Sequence, residues 1–158
     1  MKQKAKVLPV SVDEAAEIAA IVRQADLDEI TEALGIEMEH GLRLCFGGSC
    51  KASKIVVDGK IVAVFGDSIH DVQQSIGVPW LISTIHVDKR AKPFLRVCKD
   101  EVAEMLTRHA TLVNYVDVRN TQAIRWLKWL GFQFVDQAIP YGAKGLPFLQ
   151  FSLERDRG

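Results

Sequence analysis

The stretch from Lys54 to Phe65, KIVVDGKIVAVF, constrains the fold more than any other, because two β-branched runs flank an Asp-Gly pair. That pair suits a two-residue hairpin turn, so the stretch predicts two adjacent antiparallel strands. Ahead of it, Lys6 to Val10 reads as a short strand. Ser11 and Glu14 then form a capping box that opens a helix running to about Gln24, with Ala15, Ile18, Ala19 and Val22 on one face. A second short helix is expected over 28–34, ended by Gly35, and a helical turn over 39–45. Beyond the hairpin, the apolar run from Trp80 to Val87 predicts a buried strand. Pro93 sits where a first helical turn tolerates it, and Phe94, Leu95, Cys98, Val102, Met105 and Leu106 mark one face of a helix reaching about Arg108. A strand from Leu112 to Val118 follows. Asn120 can cap a helix over 121–130 that Gly131 terminates, and strands over about 133–138 and 147–153 finish the chain. The order predicts one α/β domain over residues 1–158, with a mixed central sheet and helices covering both faces. The strand-helix-strand unit in its middle requires a locally parallel pair.

Composition narrows the partners. With 20 Lys+Arg against 20 Asp+Glu in 158 residues, no whole-molecule field attracts nucleic acid or an acidic membrane. A chain this long buries roughly 70% of the surface its unfolded form exposes, enough for a core without disulfide or metal staples. The 3 cysteines, Cys45, Cys50 and Cys98, show no CxxC pair and no His at ligand spacing, so neither a disulfide framework nor a metal centre is expected. The N-terminal apolar stretch is broken by Pro9, Ser11, Asp13 and Glu14, and so lacks the continuous run of a signal peptide. No span of about 20 apolar residues marks a membrane helix.

From Asn120 the chain reads NTQAIRWLKWLGF, an Asn, a short helix and a Leu-Gly-Phe entering a strand. This segment, with the hairpin and the helix over 11–23, resembles the GCN5-related N-acetyltransferase superfamily. Pro79-Trp80-Leu81, the LVNYV run from Leu112, then Asn120, Ile124, Arg125, Gly131 and the FLQF ending resemble more narrowly the acetyltransferase-like internal virion protein family of short-tailed bacteriophages. The fold-level resemblance spans nearly the whole chain. It implies a protein associated with virion assembly, placed in the host cytoplasm or the virion.

In the superfamily, acetyl-coenzyme A lies between two parallel strands that splay apart, and backbone N–H groups of a Gly-rich loop opening the next helix hold its pyrophosphate. The resemblance therefore implies that Ile85, His86 and Val87 contact the amide arm of acetyl-coenzyme A or coenzyme A, that Arg90, Ala91 and Lys92 lie at its phosphates, and that Asn120 is a further contact. The loop departs from the motif, since it contains no glycine. Pro93 stands for the first glycine and Leu95 for the last small residue, which removes a donor and adds bulk. The slot is accordingly expected to be cramped and poor in donors.

Acetyl transfer also needs a base for the amine and an acid for the leaving thiolate. The tyrosine that many relatives place four residues before the Leu-Gly-Phe glycine is here Leu127. His86 as base and Tyr115 or Tyr141 as acid are the remaining candidates, each of which also reads as a structural residue, and no catalytic set is assigned. The basic run Lys89, Arg90, Lys92, Arg96 and Lys99 reads either as an anion site or as a solvated face paired with Asp88 and Asp100. Trp126 and Trp129 add apolar surface to a short helix that already carries Ala123, Ile124, Leu127 and Leu130; either both pack under neighbouring loops as core, or one of them is a candidate contact for another virion protein or a second copy. The leading reading is a bacteriophage morphogenesis protein acting by binding. The alternatives are an acetyl-coenzyme A-dependent N-acetyltransferase acting on a small amine or host protein, and a fold that keeps coenzyme A as a structural or regulatory ligand.

Overall fold

The computed structural model describes residues 4–156. The first residues of the basic N-terminal stretch, 1–3, and the end of the charged tail, 157–158, lie outside them. Strand β1 (Ala5–Pro9) leads to the capping box, with both of its hydrogen bonds present, and a 3-10 turn that opens helix α1 (Ala15–Ala19). Helix α2 (Gln24–Leu27) widens into a π-helical turn over Asp28–Ala33, and α3 (Met38–Gly48) completes this layer. The hairpin is β2 (Lys51–Val57) and β3 (Lys60–Asp71), and β4 (Ile76–Ser83) follows. Next come a 3-10 turn over Asp88–Arg90, helix α4 (Ala91–Arg108), strand β5 (Thr111–Asp117) and helix α5 (Thr121–Trp129). Short strands β6 (Gln133–Phe134) and β7 (Ile139–Tyr141) precede β8 (Leu146–Glu154).

These strands form one 8-stranded sheet in the order β1-β2-β3-β4-β5-β8-β6, with β7 also on β8. Every pairing is antiparallel except that of β4 with β5, as the strand-helix-strand order requires. One face packs Phe65, Phe94, Cys98, Met105 and Leu112 under α4 and α5. The other packs Ile18, Leu42, Phe46, Val64 and Ile82 under α1 and α3. Each fully buried aliphatic or aromatic side chain here contributes about 1.5–3 kcal/mol. No helix among the described residues is long and apolar enough to cross a membrane.

Five local expectations are corrected. The first helix stops at Ala19 because Val22 bridges to Thr84 and the Arg23 N–H donates to the Ser83 carbonyl, drawing the chain onto the end of β4. A new helix then starts at Gln24, earlier than the one expected over 28–34. The strand expected over 80–87 runs instead from Ile76 to Ser83, and residues 84–87 fold into a turn. The strand expected over 133–138 keeps only Gln133–Phe134, and the helical turn over 39–45 is a longer helix.

Candidate functional site

Strands β4 and β5 pair only at Ile76 with Thr111 and Gly77 with Leu112, and then part. Asn114 spans the opening by donating from Nδ2 to the Pro79 carbonyl at 2.7 Å. The opening is a cavity of about 460 Å³ that reaches both sides of the sheet, lined by Trp80, Leu34 and Tyr115 among others and by Phe94, Trp126 and Leu127 beneath α4 and α5. Between the strands the slot is therefore roomy, and of the glycine-free loop before α4 and its first turn only Phe94 and Leu95 reach its lining.

Its polar end is closed by residues that the sequence holds far apart. The Asp26 carboxylate accepts the Ser83 backbone N–H at 2.7 Å, the Ser83 hydroxyl at 2.6 Å, Asn120 Nδ2 at 2.8 Å and Arg23 Nη2 at 3.0 Å. Arg23 also donates to Asn120 Oδ1 at 2.8 Å and to the Ser83 hydroxyl oxygen at 2.9 Å. Asp26, Ser83 and Asn120 are buried, so each donor and acceptor in this network replaces a contact with water. Asn120 lines the cavity, but its side chain makes no cap bond to α5. The cap expectation is corrected because Asp26 and Arg23 take both ends of that amide.

The segment expected to contact a cofactor uses its donors internally. Ile85 N–H donates to the Ile21 carbonyl at 2.9 Å, His86 N–H to Thr84 Oγ1 at 3.2 Å and Val87 N–H to the Thr84 carbonyl at 3.2 Å. Thr84 N–H bonds to Val62 of β3 at 2.9 Å, so the Ser83 N–H, now held by Asp26, is the one aimed toward β5. Val87 is buried in the core, and the Ile85 side chain is exposed. Arg90 turns away from the cavity, donating to the His86 carbonyl at 3.1 Å with the Asp58 carboxylate 3.8 Å from its Nε. Lys89, Lys92, Arg96 and Lys99 are exposed, and Ala91 is half-buried. The residues of this loop do not fit the amide arm of coenzyme A as the resemblance lays it out, because the backbone donors it would use are already bonded.

The catalytic candidates part company. His86 is not a cavity residue, and burial together with the positive charges of Lys60 and Arg90 lowers its pKa. Tyr141 does line the cavity, stacked on Tyr115 with ring centroids 4.6 Å apart. Burial and the neighbouring Tyr115 and Glu29 raise its pKa, so the phenol holds its proton. Beside it lies a residue that sequence reasoning missed. Glu29, on the wide turn after α2, accepts the Asp117 N–H at 2.9 Å. Burial, reinforced by the nearby Asp26 and Asp117 carboxylates, pushes its pKa up to about 7. A carboxyl balanced near neutrality inside a cavity is equipped to take up or release a proton. Nothing local marks Glu29 or Asp26 as unusual, and the spacing of Arg23 to Asp26 is the one hint of a pair.

The two tryptophans also separate. Trp126 packs edge-on against Phe94 at 5.1 Å, with the Arg23 guanidinium 5.3 Å from its ring. Trp129 is 57% exposed, with Lys99 Nζ 6.0 Å from its ring.

The fold is shared with solved acetyltransferases. The ribosomal-protein-S5-alanine acetyltransferase of Vibrio fischeri superimposes with a TM-score of 0.66 at 15% identity, covering 99% of this chain and 96% of that one. A GNAT-family acetyltransferase from Bacillus anthracis gives 0.70 at 9% identity over 96% and 95%. An N-acetyltransferase from Staphylococcus aureus Mu50 gives 0.71 at 13% identity over 96% and 98%. At such identities the likeness establishes the fold alone. No curated protein sequence matches the chain. Residues 57–138, from the turn of the hairpin through α5 and β6, match the family described as "Bacteriophage T7, probable scaffold protein Gp13", and the chain belongs to that family, carried on an acetyltransferase-like fold.

Proposed function

We propose that this protein serves bacteriophage morphogenesis or the virion by binding, with its acetyltransferase-like fold used as a scaffold and little or no acetyl transfer. The observation that carries this reading is the internal use of the Ser83, Ile85, His86 and Val87 N–H groups, which leaves the end of β4 without the donors an acyl carrier would need. Family membership supports the phage setting, in the virion or the host cytoplasm. The partner is another virion protein or a second copy, met through the exposed ring of Trp129; Trp126 packs inward on Phe94. Membrane and nucleic acid are not partners in this reading.

Calorimetric titration of the full chain with acetyl-coenzyme A, followed by an amine acetylation assay, tests it. Absence of binding and turnover is the expected result, and binding with turnover overturns it. The second reading, an acetyl-coenzyme A-dependent N-acetyltransferase acting on a small amine or host protein, draws on the cavity and on Glu29 poised near neutrality within it. Binding without turnover would instead assign coenzyme A a structural or regulatory place. Analysis of purified virion proteins decides the location.

A further inference from the structure

Three side chains far apart in sequence meet where β2, β3 and the C-terminal end of α4 come together. Cys50, Asp67 and His109 place one ligand atom each, a thiol sulfur, a carboxylate oxygen and a ring nitrogen, all within 4.8 Å of one another. Asp67 and His109 are buried, and Cys50 is exposed. The contact is built by the sheet. The Cys50 N–H donates to the Asp67 carbonyl at 2.7 Å, and the ring of His109 lies where a side chain on Gly77 would stand. None of the three lines the cavity between β4 and β5.

We propose that Cys50, Asp67 and His109 bind a divalent transition metal of the zinc class, with water completing the coordination on the exposed side. Thiolate, imidazole and carboxylate are the ligand types such an ion takes, at about 2.3, 2.0 and 2.1 Å. A tetrahedral ion would set the sulfur about 3.5 Å from the nitrogen, and the nitrogen about 3.4 Å from the carboxylate oxygen. His109 Nε2 now stands 2.7 Å from Asp67 Oδ2, so entry of the ion widens that contact by less than an ångström. The exposed Cys50 side chain closes the remaining gap by rotation. Arg108 holds the carboxylate from behind, donating to its oxygens at 3.0 and 2.7 Å, an outer-shell contact that fixes ligand orientation. Glu104 accepts from the same guanidinium at 3.1 Å and offsets its charge. The two positive charges of the ion are balanced by the Asp67 carboxylate and the Cys50 thiolate. The thiol proton leaves to solvent, and the His109 proton resides on Nδ1. The spacing of these residues in sequence gives no metal motif, so the site emerges only from the fold.

Cobalt(II) titration of the reduced, metal-free full chain tests the site. A thiolate-to-cobalt charge-transfer band that saturates at one ion per chain and is displaced by zinc is expected. Cys50→Ser replaces the exposed thiol with a hydroxyl of similar size; it should abolish the band and weaken zinc binding by about 10–100-fold or more. Cys45→Ser should leave both unchanged. His109→Gln should also weaken zinc, and if it fails to fold, the Cys50 variant decides alone. Absence of a thiolate band in the parent chain, or its persistence in Cys50→Ser, overturns the assignment.

Discussion

Asp26 accepts both polar hydrogens of Ser83, the backbone N–H at 2.7 Å and the hydroxyl at 2.6 Å, and so fastens the segment after α1 to the end of β4. The same carboxylate balances Arg23, whose side chain is 13% exposed against 8% for Asp26. Asp26→Asn keeps the shape but sets amide hydrogens against the donors of Ser83, Asn120 and Arg23, and leaves the guanidinium unbalanced. Breaking one side of a buried pair costs about 3–5 kcal/mol. Urea denaturation should show a loss of that size, and a loss under about 1 kcal/mol would mean the network does not hold this end of the sheet.

Glu29 makes stability depend on pH in the direction opposite to most carboxylates. Its folded pKa, about 7, lies above the ordinary value of 4.5, so between these the folded state holds more protons than the unfolded state. The stabilisation is whole below about pH 4.5 and is lost as pH rises through about 7, amounting to at most about 3 kcal/mol. Glu29→Gln keeps an acceptor for the Asp117 N–H and removes the titration. The variant should gain on the parent between pH 5 and pH 8 in parallel urea titrations, whereas a constant difference across that range would exclude Glu29 as the source.

What could be read in the sequence was what short-range geometry decides. Asp58 and Gly59 both adopt positive φ, 53° and 74°, as the Asp-Gly hairpin turn requires. The Ser11 and Glu14 capping box likewise forms as read. Helix α5 ends at Gly131, with φ of 101°, as expected, yet Asn120 at its start serves Asp26 and Arg23 rather than the helix. There tertiary contacts overrode a local preference. The same holds for 20–23, where apolar periodicity continued past Ala19 but pairing with Thr84 broke the helix. Asp26 and Glu29 were silent because their roles depend on partners, Ser83 and Asp117, that only the folded sheet delivers.

Gly77 is required by the His109 ring. A methyl group there would enter the ring itself, and the buried imidazole has its Nε2 on Asp67 at 2.7 Å. Gly77→Ala should therefore cost about 1–3 kcal/mol from overpacking, and the displaced ring should expose the Asp67 carboxylate to solvent. Thermal denaturation measures the first effect. A stability equal to that of the parent would mean that α4 can shift its C-terminal end without loss.

The two tryptophans of α5 predict opposite outcomes in one paired experiment. Trp126 packs on Phe94 and under Arg23, so Trp126→Ala should destabilise the monomer by about 3 kcal/mol through the cavity it leaves. Trp129 keeps 57% of its surface exposed, so Trp129→Ala should change monomer stability by no more than about 0.5 kcal/mol. If Trp129 is the contact for another virion protein or a second copy, its loss should lower incorporation into particles, or self-association measured by sedimentation, while the denaturation midpoint stays in place. Loss of assembly in step with loss of stability, or no loss of assembly at all, would remove this ring from the interface and move the search to other exposed apolar residues such as Ile69 and Val72 at the end of the β3-β4 hairpin.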